Sequence, residues 1–285
     1  MSELVIRHAR PGDRDDVFSI SATVWEGNDY VPSVWDSWIA QHEAEGMLLV
    51  GELEGRVVAI QHLEFQPGDV VWLEGIRVHR DFRGRGFAAR LLADALERIA
   101  AGRFRVARLS TSSENEASMS VVRRAGFREL ARYHAFTAPA LEDSAPTQGV
   151  EPTSPSDADL ERARRLIGQP DTLQVVAGWT VMDVPQQMAV TDFPVALKVN
   201  SSDSFGLTLG SERRQRNRLA MAFIGGDAEA IALLGREMRR LAHRRELEAV
   251  NGMLRRTPQV EDGLNRAGYE LRDEHSMLLF ERSLR

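Results

Sequence analysis

Along the first half of the chain the apolar positions change period at clear punctuation marks. Residues 4–6 read as a short strand, ended by Arg10-Pro11-Gly12. Asp13, three residues ahead of Asp16, has the spacing of a helix cap, and Val17, Ile20 and Val24 then recur at helical intervals. The loop residues 27–32 are followed by Ser33 and Asp36 in the same capping spacing, heading a second helix that carries Trp35, Trp38 and Ile39. Tryptophans one turn apart read first as core. Residues 47–53 and 56–65 are strand-like runs joined by Glu54-Gly55, a hairpin signal. Pro67-Gly68-Asp69 turns the chain into a further strand, 70–78. Beyond it, Leu91, Leu92, Ala95, Leu96 and Ile99 keep a helical repeat up to Gly102, and residues 105–112 return to strand. Glu114-Asn115 opens a helix to Arg124, and Gly126-Phe127 starts a strand to about Phe136.

Residues 137–157 contain Pro139, Pro146, Pro152 and Pro155 and no aromatic residue, which reads as a linker. The expected organisation is therefore a first domain over 1–136, a linker over 137–157 and a second domain over 158–285. In that second domain a helix at 160–167 and strands at 173–176, 195–199 and 219–224 lead to Gly225-Gly226. A helix at 228–241, a strand at 247–254, a helix at 258–267 and a strand at 277–280 follow, with Gly268-Tyr269 echoing Gly126-Phe127. The second half reads as a diverged copy of the first.

The chemistry concentrates where the strand 70–78 passes into the helix 88–100, through Arg83-Gly84-Arg85-Gly86-Phe87-Ala88. Gly84 and Gly86 let the backbone turn without side chains, so that successive N–H groups point into one concave space. The helix behind adds unpaired N–H groups and the positive end of its dipole, which makes an anion site. No Gly-Lys-Ser/Thr follows and no G-x-G-x-x-G occurs, which argues against a nucleotide P-loop and a dinucleotide turn. The bland alternative is a surface turn. In the second half the basic residues of the loop are missing and Asp227 stands where the helix would receive the anion, so no anion is expected there.

Composition narrows the classes. A length of 285 residues suits two domains. Hydrophobic content of 43% and charged content of 27% are those of an ordinary globular protein. A net charge of −6 argues against a general nucleic-acid or anionic-membrane binder. The basic run Arg213-Arg214-Gln215-Arg216-Asn217-Arg218 has no interleaved aromatics and fits a solvated face or a domain contact better than a nucleic-acid site. Cysteine is absent, which removes disulfides, thiolate metal sites and a cysteine nucleophile. Residues 1–14 are too polar for a signal peptide and no apolar run approaches the ~20 residues of a membrane span, so a cytoplasmic protein, monomer or homodimer, with no metal and no membrane or nucleic-acid partner is expected.

The glycine loop resembles the Gln/Arg-Gly-x-Gly-x-Gly/Ala loop of the GNAT acyltransferases, and the order of elements in the first half is similar to that family's. The resemblance implies an α/β fold on a mixed sheet, the GNAT acyltransferase fold in tandem, with a degenerate C-terminal copy. It implies acetyl-coenzyme A as co-substrate, its diphosphate on Arg83, Gly84, Arg85, Gly86, Phe87 and Ala88. The pantetheine arm would lie along Ile76, Arg77 and Val78, where Gly75 suits a bulge or a close backbone approach. It also places a base at Glu74, which Trp72 and Leu73 are placed to desolvate; the alternatives are that Glu74 holds a cation or pairs with an arginine. Many family members follow Asn by seven residues with a tyrosine proton donor. Here Asn115, Gly126 and Phe127 fit, but the seventh position is Val122, leaving Tyr133, His134 or water as substitutes. Asn115 is either a coenzyme A contact or a helix cap. Residues 27–38, together with Leu73-Glu74-Gly75-Ile76-Arg77-Val78, are similar to the vertebrate histidine N-acetyltransferase and N-acetyltransferase-16-like group. That similarity implies a small-molecule amine acceptor, the α-amine of a small amino acid with histidine as the named guess, contacted by Asp29, Tyr30 and Glu74. Rival readings are a non-catalytic acyl-coenzyme A sensor and a protein N-terminal or lysine acetyltransferase.

Overall fold

The structure is a computed structural model that describes residues 3–41, 43–143, 145–169, 173–185, 189, 191–213 and 216–285. The chain forms two compact units, one of Met1–Thr111, Asn115–Leu130 and Phe280–Arg285, the other of Ser112–Glu114 and Ala131–Leu279. Of the basic run, Arg214 and Gln215 lie outside the described residues.

The first unit runs β1 (Val5–His8), α1 (Arg14–Ser21), α2 (Val31–Ala40), β2 (Gly46–Leu53), β3 (Arg56–Phe65), β4 (Val70–Val78), α3 (Phe87–Ala100), β5 (Val106–Ser112) and α4 (Glu116–Arg124). Its strands lie in the order β1-β2-β3-β4-β5, antiparallel except for the parallel pair β4 and β5. Glu54 and Gly55 both take left-handed φ, 52° and 78°, the conformation that matches a two-residue hairpin to the strand twist. Val17, Ile20, Val31 and Trp35 of the first two helices pack on Leu48, Val50, Val57 and Ile60. The expected stripe Leu91, Leu92, Ala95, Leu96 and Ile99 is buried along α3, each large member stabilising by roughly 1.5–3 kcal/mol relative to exposure. Two expected caps are corrected. Asp13 makes no cap bond to α1; its carboxylate takes the Arg7 guanidinium at 2.8 Å and the Arg10 N–H at 2.7 Å, because the turn begun by Pro11 brings both within reach. Ser33 lies inside α2 and donates to Tyr30 O, because Pro32 suits the first turn and starts the helix earlier.

Two features of β4 shape its surroundings. Opposite β3, Arg77 pairs with Ile60 and Glu74 with His62, so Gly75 and Ile76 together face the single residue Gln61, a bulge. Gly75 sits at φ +65°, and a Cβ there would lie 2.7 Å from the Trp38 ring, so only glycine fits. Opposite β5, pairing covers Val70, Val71 and Trp72 with Val106, Ala107 and Arg108 and ends there. Beyond Trp72 the register with β5 does not continue, and Ile76 O and Val78 O accept instead from the Arg77 and Arg83 side chains.

The second unit carries β6 (Arg128–Pro139, its first three residues counted with the first unit), β7 (Glu151–Pro152), α5 (Asp157–Leu166), the hairpin β8 (Gln174–Ala177) with β9 (Thr180–Asp183), β10 (Val195–Asn200), β11 (Phe205–Arg213), β12 (Arg218–Gly226), α6 (Ala228–Arg244), β13 (Ala249–Arg255), α7 (Pro258–Arg266) and β14 (Glu270–Ser283, which ends in the first unit). Its sheet order is β14-β6-β13-β12-β11-β10-β7, with β12 and β13 parallel. Residues expected as linker lie within this unit: Thr137, Ala138 and Pro139 pair with β13, and Glu151 and Pro152 pair with β10. The order strand, glycine turn, helix, parallel strand, helix, strand thus occurs twice along the chain, and α4 and α7 each end on a left-handed glycine, Gly126 at φ +83° and Gly268 at φ +78°.

Candidate active site

Glu74 and His62 face each other across the β3–β4 register, the carboxylate Oε1 2.9 Å from the imidazole Nδ1. The His62 side chain is 2% exposed and that of Glu74 22%. On its other side His62 Nε2 lies 2.7 Å from Gln41 Oε1, at the end of α2. The Trp38 ring stacks on the imidazole at 4.3 Å and 12°, and Tyr30 meets Trp38 edge-on at 6.0 Å. Trp35 is thus core as expected, whereas Trp38 belongs to the site. These residues open onto a cavity of about 360 Å³ lined by Ser37, Trp38, Ala40, Gln41, Glu45, His62, Glu64 and Glu74. Three carboxylates and no Lys or Arg stand among those residues, so the cavity suits a cation. Burial, and then the Glu74 carboxylate, push the Glu64 carboxyl above its ordinary range, with His62 opposing. A second cavity of about 390 Å³, between α3, α4 and the chain's last residues, contains none of these side chains.

The sequence-expected substrate residues divide. Asp29 is committed to Arg77: its two oxygens accept from Arg77 Nη2 at 3.0 Å and Nε at 3.1 Å, and its side chain is fully buried. Arg77 Nη1 also donates to Ile76 O at 3.0 Å, and the guanidinium lies over the Trp25 ring at 4.6 Å. The Arg77 side chain is therefore a structural clamp on the loop ahead of α2. Trp25 and Glu26 in that loop are held at positive φ, 46° and 56°. Replacing Asp29 by Ala leaves a buried guanidinium without its carboxylate, and is expected to cost about 3 kcal/mol of unfolding free energy in urea titration; a loss below ~1 kcal/mol would show that the pair does not hold the loop. Tyr30 does reach the site, with a hydrogen bond to the backbone of Gly75. Burial, then the Glu74 carboxylate, push its phenol well above the ordinary range, so it stays protonated.

The glycine loop has the geometry its sequence calls for. Gly84 and Gly86 take φ of +76° and +79°, and a Cβ added at either meets nothing within 4 Å. Gly86 caps α3 without a side-chain bond, and the first turn holds no acidic residue. The N–H groups of that turn are therefore open to an anion. Arg83 and Arg85 are exposed beside it, Arg83 Nε on Val78 O at 3.2 Å and Arg85 over the Phe82 ring at 5.0 Å. Phe87 turns inward onto Val58 and Leu4, and Ala88 follows it in the first turn. Asn115 caps α4, its Oδ1 accepting from Ser118 N at 3.0 Å. Val122 is buried. Tyr133 belongs to the second unit, 1% exposed, its hydroxyl donating to Gln174 Oε1 at 3.2 Å. The first unit does not contain it, and Tyr30 is the tyrosine brought to Glu74.

At the matching turn of the second unit, Asp227 accepts from Ala230 N at 2.9 Å, Phe205 N at 2.7 Å and the Ser204 hydroxyl. Burial alone would raise its carboxyl; those bonds outweigh it and hold the group below the ordinary range. Gly225 and Gly226 there are packed shut, a Cβ at Gly226 falling 2.4 Å from Phe205 O.

His62, Gln41 and Glu64 are site residues that the sequence reading missed. The alternation of β3 puts positions 62 and 64 on one face, but only the bulged register shows that His62 meets Glu74. Among the described residues no group of His, Asp and Glu is arranged to hold a metal ion, and no helix is long and apolar enough to cross a membrane.

Residues 14–127 match the model of the Acetyltransferase (GNAT) family. Histidine N-acetyltransferase of Scomber australasicus is 28% identical over 88 residues, 30% of this chain and 26% of that protein. Histidine N-acetyltransferase of Xenopus tropicalis is 35% identical over 75 residues, 26% of this chain and 22% of that protein. The matches thus span about a quarter of the length of those relatives. The crystal structure of a GCN5-related N-acetyltransferase from Sphaerobacter thermophilus superposes with a TM-score of 0.67 at 16% identity, covering 99% of this chain and 96% of that one, and so shares its fold.

Proposed function

We propose, for a chain whose residues 14–127 match the acetyltransferase (GNAT) family, that it moves an acetyl group from acetyl-coenzyme A directly to a primary amine, with Glu74 as the base. The observation that carries this reading is the pairing of two sites on one strand: Glu74 at one end of the β4 bulge, and the open N–H groups of Gly84 to Phe87 after its end. The loop holds the diphosphate, with Arg83 and Arg85 adding charge. The arm lies against the backbone of Ile76, Arg77 and Val78. The acceptor enters as an ammonium between Glu45, Glu64 and Glu74, and gives a proton to Glu74. Its lone pair forms the C–N bond, the C–S bond breaks, and the second proton of the nitrogen passes to the leaving thiolate, giving the amide and free coenzyme A. Asn115 serves as helix cap, and the second unit, closed by Asp227, binds no coenzyme A.

For the acceptor we propose the α-amine of a small amino acid, histidine first. This is supported by the two relatives of that name. A second reading, a protein N-terminal or lysine acetyltransferase, is favoured by the open acidic cavity, which has no Lys or Arg for an amino acid's carboxylate among its described lining residues. Thiol release from acetyl-coenzyme A with free amino acids against peptides separates the two. Histidine is expected to turn over faster than any peptide; peptides as efficient as amino acids would replace the first reading by the second, and no release with any amine would leave only a sensor.

A further inference from the structure

The surroundings of His62 fix more than its position. Gln41 presents Oε1 to His62 Nε2 at 2.7 Å, while Nε2 of the same amide donates to Glu45 O at 3.2 Å. That second bond decides which end of the amide is oxygen, so His62 Nε2 carries a hydrogen. Trp38, stacked at 4.3 Å, sets the plane of the ring. Nδ1 is then the only ring position left to gain or lose a proton, and it faces Glu74 Oε1 at 2.9 Å. A bare Nδ1 there would set a lone pair against a carboxylate oxygen, so a hydrogen lies between them.

We propose that His62, as an imidazolium, is the positioning residue for Glu74: its Nδ1–H holds Oε1, fixes the carboxylate in one orientation, and leaves Oε2 to take the acceptor's proton. This rests on the N-acetyltransferase reading above. One proton passes from the ammonium to Oε2, and the imidazolium keeps both of its own throughout. The charges bearing on the ring, among the described residues, are Glu64 on β3, Glu74 on β4, Glu45 ahead of β2 and the Asp29–Arg77 pair, with the neutral Tyr30 phenol ahead of α2.

Raising the pH strips Nδ1, and Glu74 then loses a donor and gains a lone pair. At saturating acetyl-coenzyme A, kcat/KM for the amine should therefore fall on the alkaline side although the neutral amine grows more abundant. His62→Gln offers an amide donor that does not titrate. The expected result is a roughly tenfold lower kcat/KM, the order of losing a charged donor, with the alkaline fall abolished and coenzyme A affinity unchanged. The same fall in His62→Gln as in the unsubstituted enzyme overturns the proposal. A second measurement needs neither turnover nor that variant. In ¹⁵N spectra of the full chain at neutral pH, both His62 ring nitrogens should be protonated, the signal being assigned by its shift in Glu74→Gln. One protonated nitrogen overturns the proposal, whereas two with no thiol release for any amine would instead strike the acetyltransferase reading and leave the His62–Glu74 pair standing.

Discussion

Glu74→Gln lowers kcat/KM for the acceptor amine by about 10²–10⁴-fold, the usual contribution of a positioned base, and leaves coenzyme A binding in place. The substitution keeps the shape of the side chain and its ability to hydrogen-bond His62, and the Glu74 side chain is 22% exposed, so folding changes little. What is lost is the acceptor for the ammonium's proton. The variant must then wait for amine that has already lost its proton in water, so its rate climbs with pH toward the amine's own pKa, lower for an α-amine than for the lysine side chain near 10.4. The position of that climb also reports which kind of amine the enzyme takes. Steady-state thiol release across pH, with coenzyme A affinity measured by calorimetry, checks both parts. A variant with undiminished turnover would remove Glu74 from the chemistry, and one that no longer binds coenzyme A would place it in the cofactor site instead.

Local features of this site were legible from residue order, and the partnerships across strands were not. Gly84 and Gly86 announce a left-handed turn because few other residues accept that conformation, and both adopt it. Glu54-Gly55 likewise names its own hairpin. Gly75 pointed to a bulge, and the bulge is there, but its consequence is a register that periodicity does not encode. One extra residue on β4 decides that His62, rather than Leu63, faces Glu74. Asp29 reads as a loop carboxylate open to ligand; only the fold brings Arg77 across 48 positions to bind it. Tyr133 reads as the nearest tyrosine after Val122, yet its strand carries it into another unit, onto Gln174. Phe280–Arg285 rejoins the first unit, where Glu281 pairs with Arg108 at 2.9 Å, a return that no local pattern signals.

The chain itself contains the model for the second large effect. Gly86 and Asp227 both stand at the cap of a helix that follows a sheet strand, one bare and one carrying a carboxylate. Gly86→Asp should give the first unit the electrostatics of the second. The fold tolerates the change: a Cβ at Gly86 meets nothing within 4 Å, and Asp enters the left-handed region more readily than most residues, at a strain of roughly 1–2 kcal/mol. The anion site does not tolerate it. The carboxylate takes the N–H groups that the diphosphate would use and adds a like charge in the same space. Losing two charge-assisted bonds of about 1.5–3 kcal/mol each amounts to at least a hundredfold in affinity. Calorimetric titration with coenzyme A should show that loss beside a melting temperature within a few degrees of the parent's. Gly86→Asn, of the same shape without the charge, should bind between the two. If Gly86→Asp binds coenzyme A as tightly as the unsubstituted chain, the diphosphate does not sit at α3, and Glu74 has no thioester brought to it. The converse change, Asp227→Gly, creates no second site, because Gly225 and Gly226 lie against Ala163 and Phe205 and the turn has no room for a phosphate.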